Sequence, residues 1–525
     1  MNNKKILRPL TIFVSSAMSF LLSIVVNGQT AVALPHVSPP LVVTETSRPY
    51  LDASEYLRSV DYVEEEFFLS GMANVYDWAG EGQQVKVVAG PTDYTTRILV
   101  RRPKDPSRFS GNVEVLILNA SGGVDLGGPI DVERMVAQGD AWVGITSKAI
   151  SARALQTFDS ERYSSLNWNT PFELSDRCDK PSIIPTYMTG DGFMYRTMDA
   201  IGLVPASSFT ETEDGLIWDM LAQLALLLKS ESRTKILPDF QEPTLYMVGL
   251  SQSSIYLRTW LVAFHDQYRT PKGEPLYDGY LGVIGPALVR LNQCSDDVAL
   301  EDPRQLINTL EVPFISLYSE GEMWLGMHTR QPDAFSETGG RVTYEVTGGS
   351  HIPGEIPGKD VIRLGQETTG EAIDAGAVMR WVTNWMRDGD EPNDLIWTPL
   401  LRGAYHNLQR WVREDIRPPT VEGIQYSATF EIERDENGNA KGGIQMPYIS
   451  VPTAAHRGYL SAGGLGGIMG AKAPFSEATL KALYHDQKMY SEQFNAATDK
   501  LLKGQWISED DAELMKQSIS EREVD

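Results

Sequence analysis

Ser251 closes the apolar run Thr244-Leu-Tyr-Met-Val-Gly-Leu and is followed by Gln252 and Ser253. A small-x-Ser-x-small pentapeptide can form a sharp strand-to-helix turn that lifts a serine hydroxyl clear of a sheet. Gly249 and Ser253 must then be small, because the backbone folds back beside the serine. The chemistry of such a serine is attack on an acyl carbonyl, with the amide of Gln252 as one donor to the oxyanion that forms. Matches to this pentapeptide also arise by chance, and here a serine stands where a second glycine is usual, so the flanks carry the reading. Residues 245–248 read as a short buried strand. Beyond the serine, Ile255, Leu257, Leu261, Val262 and Phe264 fall at helical spacing.

A serine hydroxyl is a weak nucleophile near neutral pH. It needs a base, and the base needs a group that fixes its tautomer and stabilises its cation. Of the seven histidines, His351 fits this role. It follows the strand-like Arg341-Val-Thr-Tyr-Glu-Val in a Gly-containing loop, Thr347-Gly-Gly-Ser-His351, that can swing an imidazole over a sheet edge. His265 falls within the helical pattern after Ser251 and reads as structural, while His36, His328, His406, His456 and His485 lack a strand-end setting. The strand between serine and histidine, Val312-Pro-Phe-Ile-Ser-Leu-Tyr, ends in Ser319-Glu320-Gly321-Glu322. The acid is expected at Glu322, after the glycine bend, with Glu320 as the alternative; either could also be a solvated turn carboxylate. A second oxyanion donor is expected from Ser121 and Gly122 in Asn119-Ala-Ser-Gly-Gly, which follows a strand-like run at 113–118 and could equally be a plain glycine turn. Each match is weak alone; their order along four separated segments makes the set specific.

The elements that must position these residues form a recognisable series. Short alternating runs broken by Gly and Pro fill residues 34–110 and predict a β-rich lead-in to a sheet. From 111 to 389, continuous apolar strand signals at 113–118, 141–145, 245–248, 280–284 and 314–318 are mostly separated by helical patterns at 131–138 and 214–229, with a further helix at 372–386. Buried strands alternating with helices predict an α/β fold, with a mostly parallel central sheet covered by helices on both faces. Two stretches, near 147–213 and 287–308, fit that alternation poorly. The first carries Tyr163, Trp168, Phe172, Tyr187, Met188, Phe193 and Tyr195, and both read as lid insertions. After 389 the pattern changes into a C-terminal extension, 390–525. Within it, residues 426–434 and 441–446 predict two strands joined at Asn437-Gly438 in positive-φ positions. The spacing of Asp435, Asn437 and Asn439 is too compressed for a calcium loop. Gly463-Gly-Leu-Gly-Gly lacks the Lys-Ser/Thr of a phosphate loop and reads as flexible. No 20- to 50-residue repeat is visible.

The 525 residues are 42% hydrophobic, enough for a large core. Lys4, Lys5 and Arg8 precede an uncharged run from Leu10 to Val26 and then Ala31-Val-Ala33, the layout of a cleaved signal peptide, 1–33, with a mature start at Leu34 or, alternatively, at Gln29. An uncleaved signal anchor is the other reading, and membrane contact is expected only in that case. Residues 1–33 hold three basic and no acidic side chains, so cleavage takes the formal net charge from -24 to -27. Such a charge repels nucleic acid and anionic lipid, and a nucleic-acid partner is not expected. Cys178 and Cys294 could pair in an oxidising compartment and so tie the two insertions together, or remain two small unpaired core residues. Neither lies in a zinc-binding spacing. The serine chemistry calls for no metal and no organic cofactor.

Several stretches together resemble a family. Tyr62-Val-Glu-Glu-Glu-Phe-Phe-Leu-Ser-Gly, Tyr94-Thr-Thr-Arg-Ile-Leu-Val-Arg-Arg-Pro, Leu118-Asn-Ala-Ser-Gly-Gly-Val-Asp, Gly249-Leu-Ser-Gln-Ser, Arg330-Gln-Pro-Asp and Asp435-Glu-Asn-Gly-Asn are similar to landmarks of α/β-hydrolase domain-containing proteins with a Ser-Gln-Ser elbow. The resemblance covers most of the chain. It implies an α/β-hydrolase fold with Ser251, Glu322 and His351 in the nucleophile, acid, histidine order, and a C-terminal region integral to the fold. It makes Ser253 a usual residue; the acid-turn position, often Asp in the family, is Glu here. It does not fix a substrate. The expected function is an exported serine hydrolase that cleaves small-molecule or lipid-like carboxylic esters through an acyl-enzyme. The same triad serves acyl transfer, lipase, amide, thioester and lactone chemistry, and a secreted binding protein on an inactive hydrolase scaffold is the alternative from another class. The sequence leaves the oligomeric state open.

Overall fold

The computed structural model describes residues 33–178, 180, 182–185, 211–354, 363, 366–368, 386–460 and 467–519. The expected leader lies outside them except for Ala33. So do Tyr187, Met188, Phe193 and Tyr195 of the first insertion, residues 463–466 of the glycine run, and all but Met386 of the helix expected at 372–386.

Ten strands form one sheet in the order β1-β2-β3-β5-β4-β6-β7-β8-β10-β9. The strands are β1 His36–Val37, β2 Tyr62–Trp78, β3 Val85–Pro103, β4 Asn112–Ile117, β5 Ala141–Ile145, β6 Thr244–Leu250, β7 Gly279–Val283, β8 Pro313–Ser319, β9 Ala334–Phe335 and β10 Gly340–Val346. Strands β5, β4, β6, β7, β8 and β10 run parallel, and β1–β3 and β9 join antiparallel at the two edges. The lead-in differs from the short strands expected: β2 and β3 are 17 and 19 residues long and pair from Tyr62↔Pro103 to Trp78↔Val85. Pro91 is tolerated inside β3 because β5 pairs only with Ile98–Arg101 of that strand. On the other side Pro91 falls where the register with β2 shifts, between Ala73↔Thr92 and Val75↔Ala89, so its missing N–H breaks no ladder there either.

The alternation of side chains across the sheet sets up two layers. Val113, Val115 and Ile117 of β4 face a cluster containing Leu221, Leu224, Ile255 and Trp260, from α3 Ile217–Lys229 and α4 Gln252–Ala263. Leu116 faces the other way, into a cluster with Met135 of α1 Val132–Gln138 and with Leu408 and Trp411 of α5 Thr398–Glu414. Every residue of α3 from Ile217 to Leu228 is buried, and its two polar members are satisfied there: Asp219 accepts from the Asn74 amide and the Tyr76 hydroxyl, and Gln223 accepts from the Tyr94 hydroxyl and donates to Met72 O. Two later helices, Gln487–Lys503 and Glu509–Ser518, add Phe494, Leu501, Ala512 and Met515 to the second cluster. Among the described residues, those after 389 therefore supply most of one helical layer of the sheet.

The first insertion contains α2 Ala149–Phe158; of its described aromatics, Tyr163 and Trp168 are buried in the first cluster, and Phe158 and Phe172 pack against it partly buried. Cys178 and Cys294 form a disulfide joining the two insertions. The hairpin expected after Tyr426 is reduced to isolated bridges, Tyr426↔Ile432 and Arg434↔Ala440. Asp435 Oδ1 accepts the amides of Asn437 and Asn439, each at 2.9 Å, and closes the turn itself. Only Gly438, at φ 82°, takes a positive φ there; Asn437 does not. Among the described residues, no helix is long and apolar enough to cross a membrane.

Candidate active site

The site forms where β6 turns into α4. Ser251 sits between them at φ 54°, ψ −120°, a conformation that costs a non-glycine residue about 1–3 kcal/mol and persists only where its surroundings enforce it. Enforcement comes from both sides. The Ser251 amide donates to Val283 O at 2.8 Å, and the amide of Ser254 to Ser251 O at 2.9 Å. Gly249 is required because a Cβ there would lie 2.3 Å from Ser253 O, the close return of the backbone that the pentapeptide implied.

Ser251 Oγ lies 2.8 Å from His351 Nε2, and His351 Nδ1 lies 2.5 Å from Glu322 Oε1. The other Glu322 oxygen accepts the amide of Ser319 at 2.9 Å and its hydroxyl at 2.8 Å. The first of these bonds, with the Ser319 hydroxyl oxygen accepting from the backbone of the turn, makes a capping box of the short 3-10 turn Glu320–Glu322 that ends β8. The carboxylate is thus fixed before it meets the imidazole. His351 is held in turn by its own amide, which donates to Ile468 O at 2.9 Å.

Glu320 points elsewhere. It is fully buried, pairs with Arg434 at 2.7 Å and accepts the amides of Gly348 at 2.8 Å and Gly458 at 3.2 Å. It therefore fastens the region after 389 to the loop that carries His351, and it does not touch the imidazole.

The loop after β4 approaches the elbow through Asn119, whose Nδ2 donates to Leu250 O at 2.8 Å. Asn119 Oδ1 accepts the Ser121 amide at 2.7 Å. This departs from the expected arrangement, because the Ser121 N–H is occupied by a side chain two residues earlier. Ser121 and Gln252 line the cavity at Ser251; Gly122 does not. The Gln252 amide opens α4, where the first helical N–H groups have no intrahelical partner. The cavity is about 70 Å³, and its remaining walls are Ile184, Ile255, Ile284, Gly285, Pro286, Trp324, Leu325 and Ile468. The described aromatics of the first insertion do not line it; Trp324, stacked on Tyr459 at 6.0 Å between ring centroids, does.

Sequence reasoning passed over Asn119, Ser319, Trp324 and Lys148. Lys148 lies fully buried behind the elbow. Its Nζ donates to Ser147 Oγ at 2.9 Å, Leu118 O at 3.3 Å and Ser253 Oγ at 3.4 Å, and it sits 4.3 Å from the Tyr256 ring. Burial pulls its pKa down to about 7, against the attraction of Asp214 and Asp125. His265 lies just past the end of α4, against Tyr280 at 2.9 Å and Glu311 at 3.2 Å. His265, Asp266 and Glu311 bring three possible metal ligands together. Arg269 already pairs with both carboxylates, at 3.1 and 2.8 Å, so the group reads as an ion-pair cluster.

Residues 37–517 match the family described as an alpha/beta hydrolase domain. The chain belongs to this family. The sheet order and the strand-turn-helix setting of Ser251 agree with that membership. Among solved structures, this hydrolase is similar to a cold-adapted esterase from an Arctic intertidal metagenomic library, at 10% identity and TM-score 0.25 over 58% of this chain and 94% of that one. It is likewise similar to acetyl xylan esterase 1 from Thermoanaerobacterium sp., at 10% identity and TM-score 0.28 over 64% and 89%. Lipase A from Candida antarctica in its closed state matches at 10% identity and TM-score 0.22 over 50% and 43%. Likenesses of this size carry no argument about substrate. No curated protein matches the chain in sequence.

Proposed function

We propose that this α/β hydrolase is an exported serine esterase that cleaves carboxylic esters through an acyl-enzyme. The observation that carries the reading is the unbroken series from Ser251 Oγ through His351 to Glu322, at 2.8 and 2.5 Å, opening on an apolar cavity. Ser251 Oγ attacks the ester carbonyl while His351 Nε2 takes its proton, and Glu322 holds the Nδ1–H tautomer and stabilises the imidazolium. The oxyanion is held by the Gln252 amide at the start of α4, with the Ser121 hydroxyl, on the cavity wall, as the second candidate donor. Collapse of the tetrahedral adduct returns the proton to the leaving alcohol and leaves the acyl group on Ser251. Water activated by His351 then releases the acid and restores the serine. The apolar walls suit the acyl portion of the substrate. Export rests on the leader-like N-terminus and fits the Cys178–Cys294 disulfide, a bond favoured in oxidising compartments.

The test is hydrolysis of p-nitrophenyl esters from two to sixteen carbons, together with labelling by a fluorophosphonate probe. Turnover and labelling that both vanish in folded Ser251→Ala and His351→Ala support the esterase. A folded wild type that neither labels nor hydrolyses refutes it in favour of a binding scaffold.

A further inference from the structure

Six arginines are buried among the described residues: Arg97, Arg101, Arg102, Arg233, Arg258 and Arg290. Five form ion pairs, with Glu66 and Asp125, Glu64, Glu65, Glu231 and Asp297 respectively once Arg258 is set aside. Arg258, 3% exposed, forms none among the described residues. Its Nη1 donates to the Tyr318 hydroxyl and its Nη2 to Gln305 O, both at 2.9 Å, and its Nε has no partner. A buried lysine escapes this predicament by giving up its proton, and Lys148 is pulled in that direction. A guanidinium keeps its charge at any working pH and calls for a counter-charge.

Arg258 borders a second, smaller cavity together with Arg330, Arg341, Ser316, Thr343 and Glu345. Arg330 is neutralised by Glu345, with Nε 2.8 Å from one carboxylate oxygen. Arg341 donates through Nη1 to Ile307 O at 3.2 Å, its Nε has no partner, and it makes no ion pair among the described residues. The carboxylate acting on it is Asp333, whose Oδ1 is occupied by the Thr343 amide at 2.9 Å. Two guanidiniums, offset in part by one carboxylate at a distance, therefore face a cavity whose hydroxyl-bearing walls can donate further hydrogen bonds. Its volume is about 10 Å³. So small a space favours a monatomic halide over a tetrahedral oxyanion.

We propose that this cavity is a halide site that takes chloride, bound between Arg258 and Arg341 with Ser316 and Thr343 completing its shell. Its position gives it a structural consequence. Arg258 belongs to α4, the helix that Ser251 opens, and Ser316 to β8, the strand that ends in Ser319, which holds Glu322. A bound chloride would thus tie the helix of the nucleophile to the strand of the acid.

The full chain, exchanged into sodium gluconate, is melted during titration with sodium chloride, bromide or sulfate at constant ionic strength. Chloride and bromide should raise the Tm little below the dissociation constant and by about 1–2 °C for each tenfold rise above it in a chain of this size, and sulfate should not. Folded Arg341→Gln should lose the shift. Crystals grown in sodium bromide should give an anomalous peak in the cavity, which decides the matter on wild type if the variant does not fold. A melt indifferent to halide, a halide shift unchanged in folded Arg341→Gln, or a bromide-grown crystal with water and no anomalous peak at this position would each overturn the proposal.

Discussion

Two glutamates two residues apart, Glu320 and Glu322, should respond to the same isosteric change in opposite ways. In Glu322→Gln the side-chain amide has two possible orientations, and both fail. If its oxygen accepts from His351 Nδ1, its NH2 group faces the Ser319 amide, donor against donor, where the wild-type oxygen accepts at 2.9 Å. If the amide flips, NH2 faces His351 Nδ1 at a position now 2.5 Å from Glu322 Oε1 and favours the tautomer protonated on Nε2, which cannot take the Ser251 proton. The imidazolium also loses its counter-charge. We expect kcat on a p-nitrophenyl ester to fall by about 10³–10⁴-fold, some 4–5.5 kcal/mol of transition-state stabilisation, with KM little changed. Glu320→Gln breaks a buried pair with Arg434 and leaves either that guanidinium or the Gly348 amide facing an NH2 group. It should destabilise the fold by about 3–5 kcal/mol, yet the fraction that remains folded should retain kcat within about tenfold. Active-site titration with a fluorophosphonate separates the two effects, because it counts competent enzyme independently of turnover. A folded Glu320→Gln that has lost catalysis beside a Glu322→Gln that keeps a tenth or more of it would refute the assignment.

Asn119→Ala should lower kcat by about 10–100-fold with little change in KM, since it releases both Leu250 O and the Ser121 amide and loosens the loop against the elbow; steady-state kinetics reads this. Replacing Cys178 and Cys294 by serine removes a link that spans 116 residues and should cost about 2–5 kcal/mol, seen as a lower midpoint in denaturant. Burial raises the pKa of Glu114 to about 8. Between 4.5 and about 8 the folded chain then holds a proton that the unfolded chain has lost, so this group's contribution is full below pH 4.5 and fades as pH rises through that window. Glu114→Gln, whose amide oxygen can still accept from the Ile130 amide, should flatten the fall in Tm from pH 5 to 8; an unchanged slope would remove Glu114 as its cause.

The sheet was legible because its central strands are buried on both faces and spell that burial as unbroken apolar runs: the expected 141–145 is β5, and 280–284 is shifted by one residue from β7. The lead-in was harder to read. Gly71, Gly90 and Pro91 look like breaks in sequence, but an edge strand tolerates them and β2 and β3 run through. The turn at Asp435 escaped for a related reason: a carboxylate that binds its own backbone can replace a second positive-φ residue, and periodicity does not register that.

The choice between Glu320 and Glu322 had a local signal as well. Ser319-Glu-Gly-Glu322 has the S-x-x-E spacing of a capping box, which bends the second glutamate back onto Ser319 and fixes one of its oxygens. A carboxylate held in this way at the end of β8 can present its free oxygen to a neighbouring loop without losing side-chain entropy again on meeting the imidazole. The part played by Glu320 was not legible locally, because its partners Arg434 and Gly458 come from more than a hundred residues downstream. That distance carries the physical point. One carboxylate of the turn is fixed by its immediate neighbours and turned to the histidine, while the other is satisfied only when the C-terminal region has docked. The loop bearing His351 takes bonds from both sides of this arrangement, through Gly348 to Glu320 and through its own amide to Ile468. Alignment of the imidazole is therefore coupled to docking of the region after 389, which among the described residues also supplies most of one helical layer of the sheet, so the site and that layer form together.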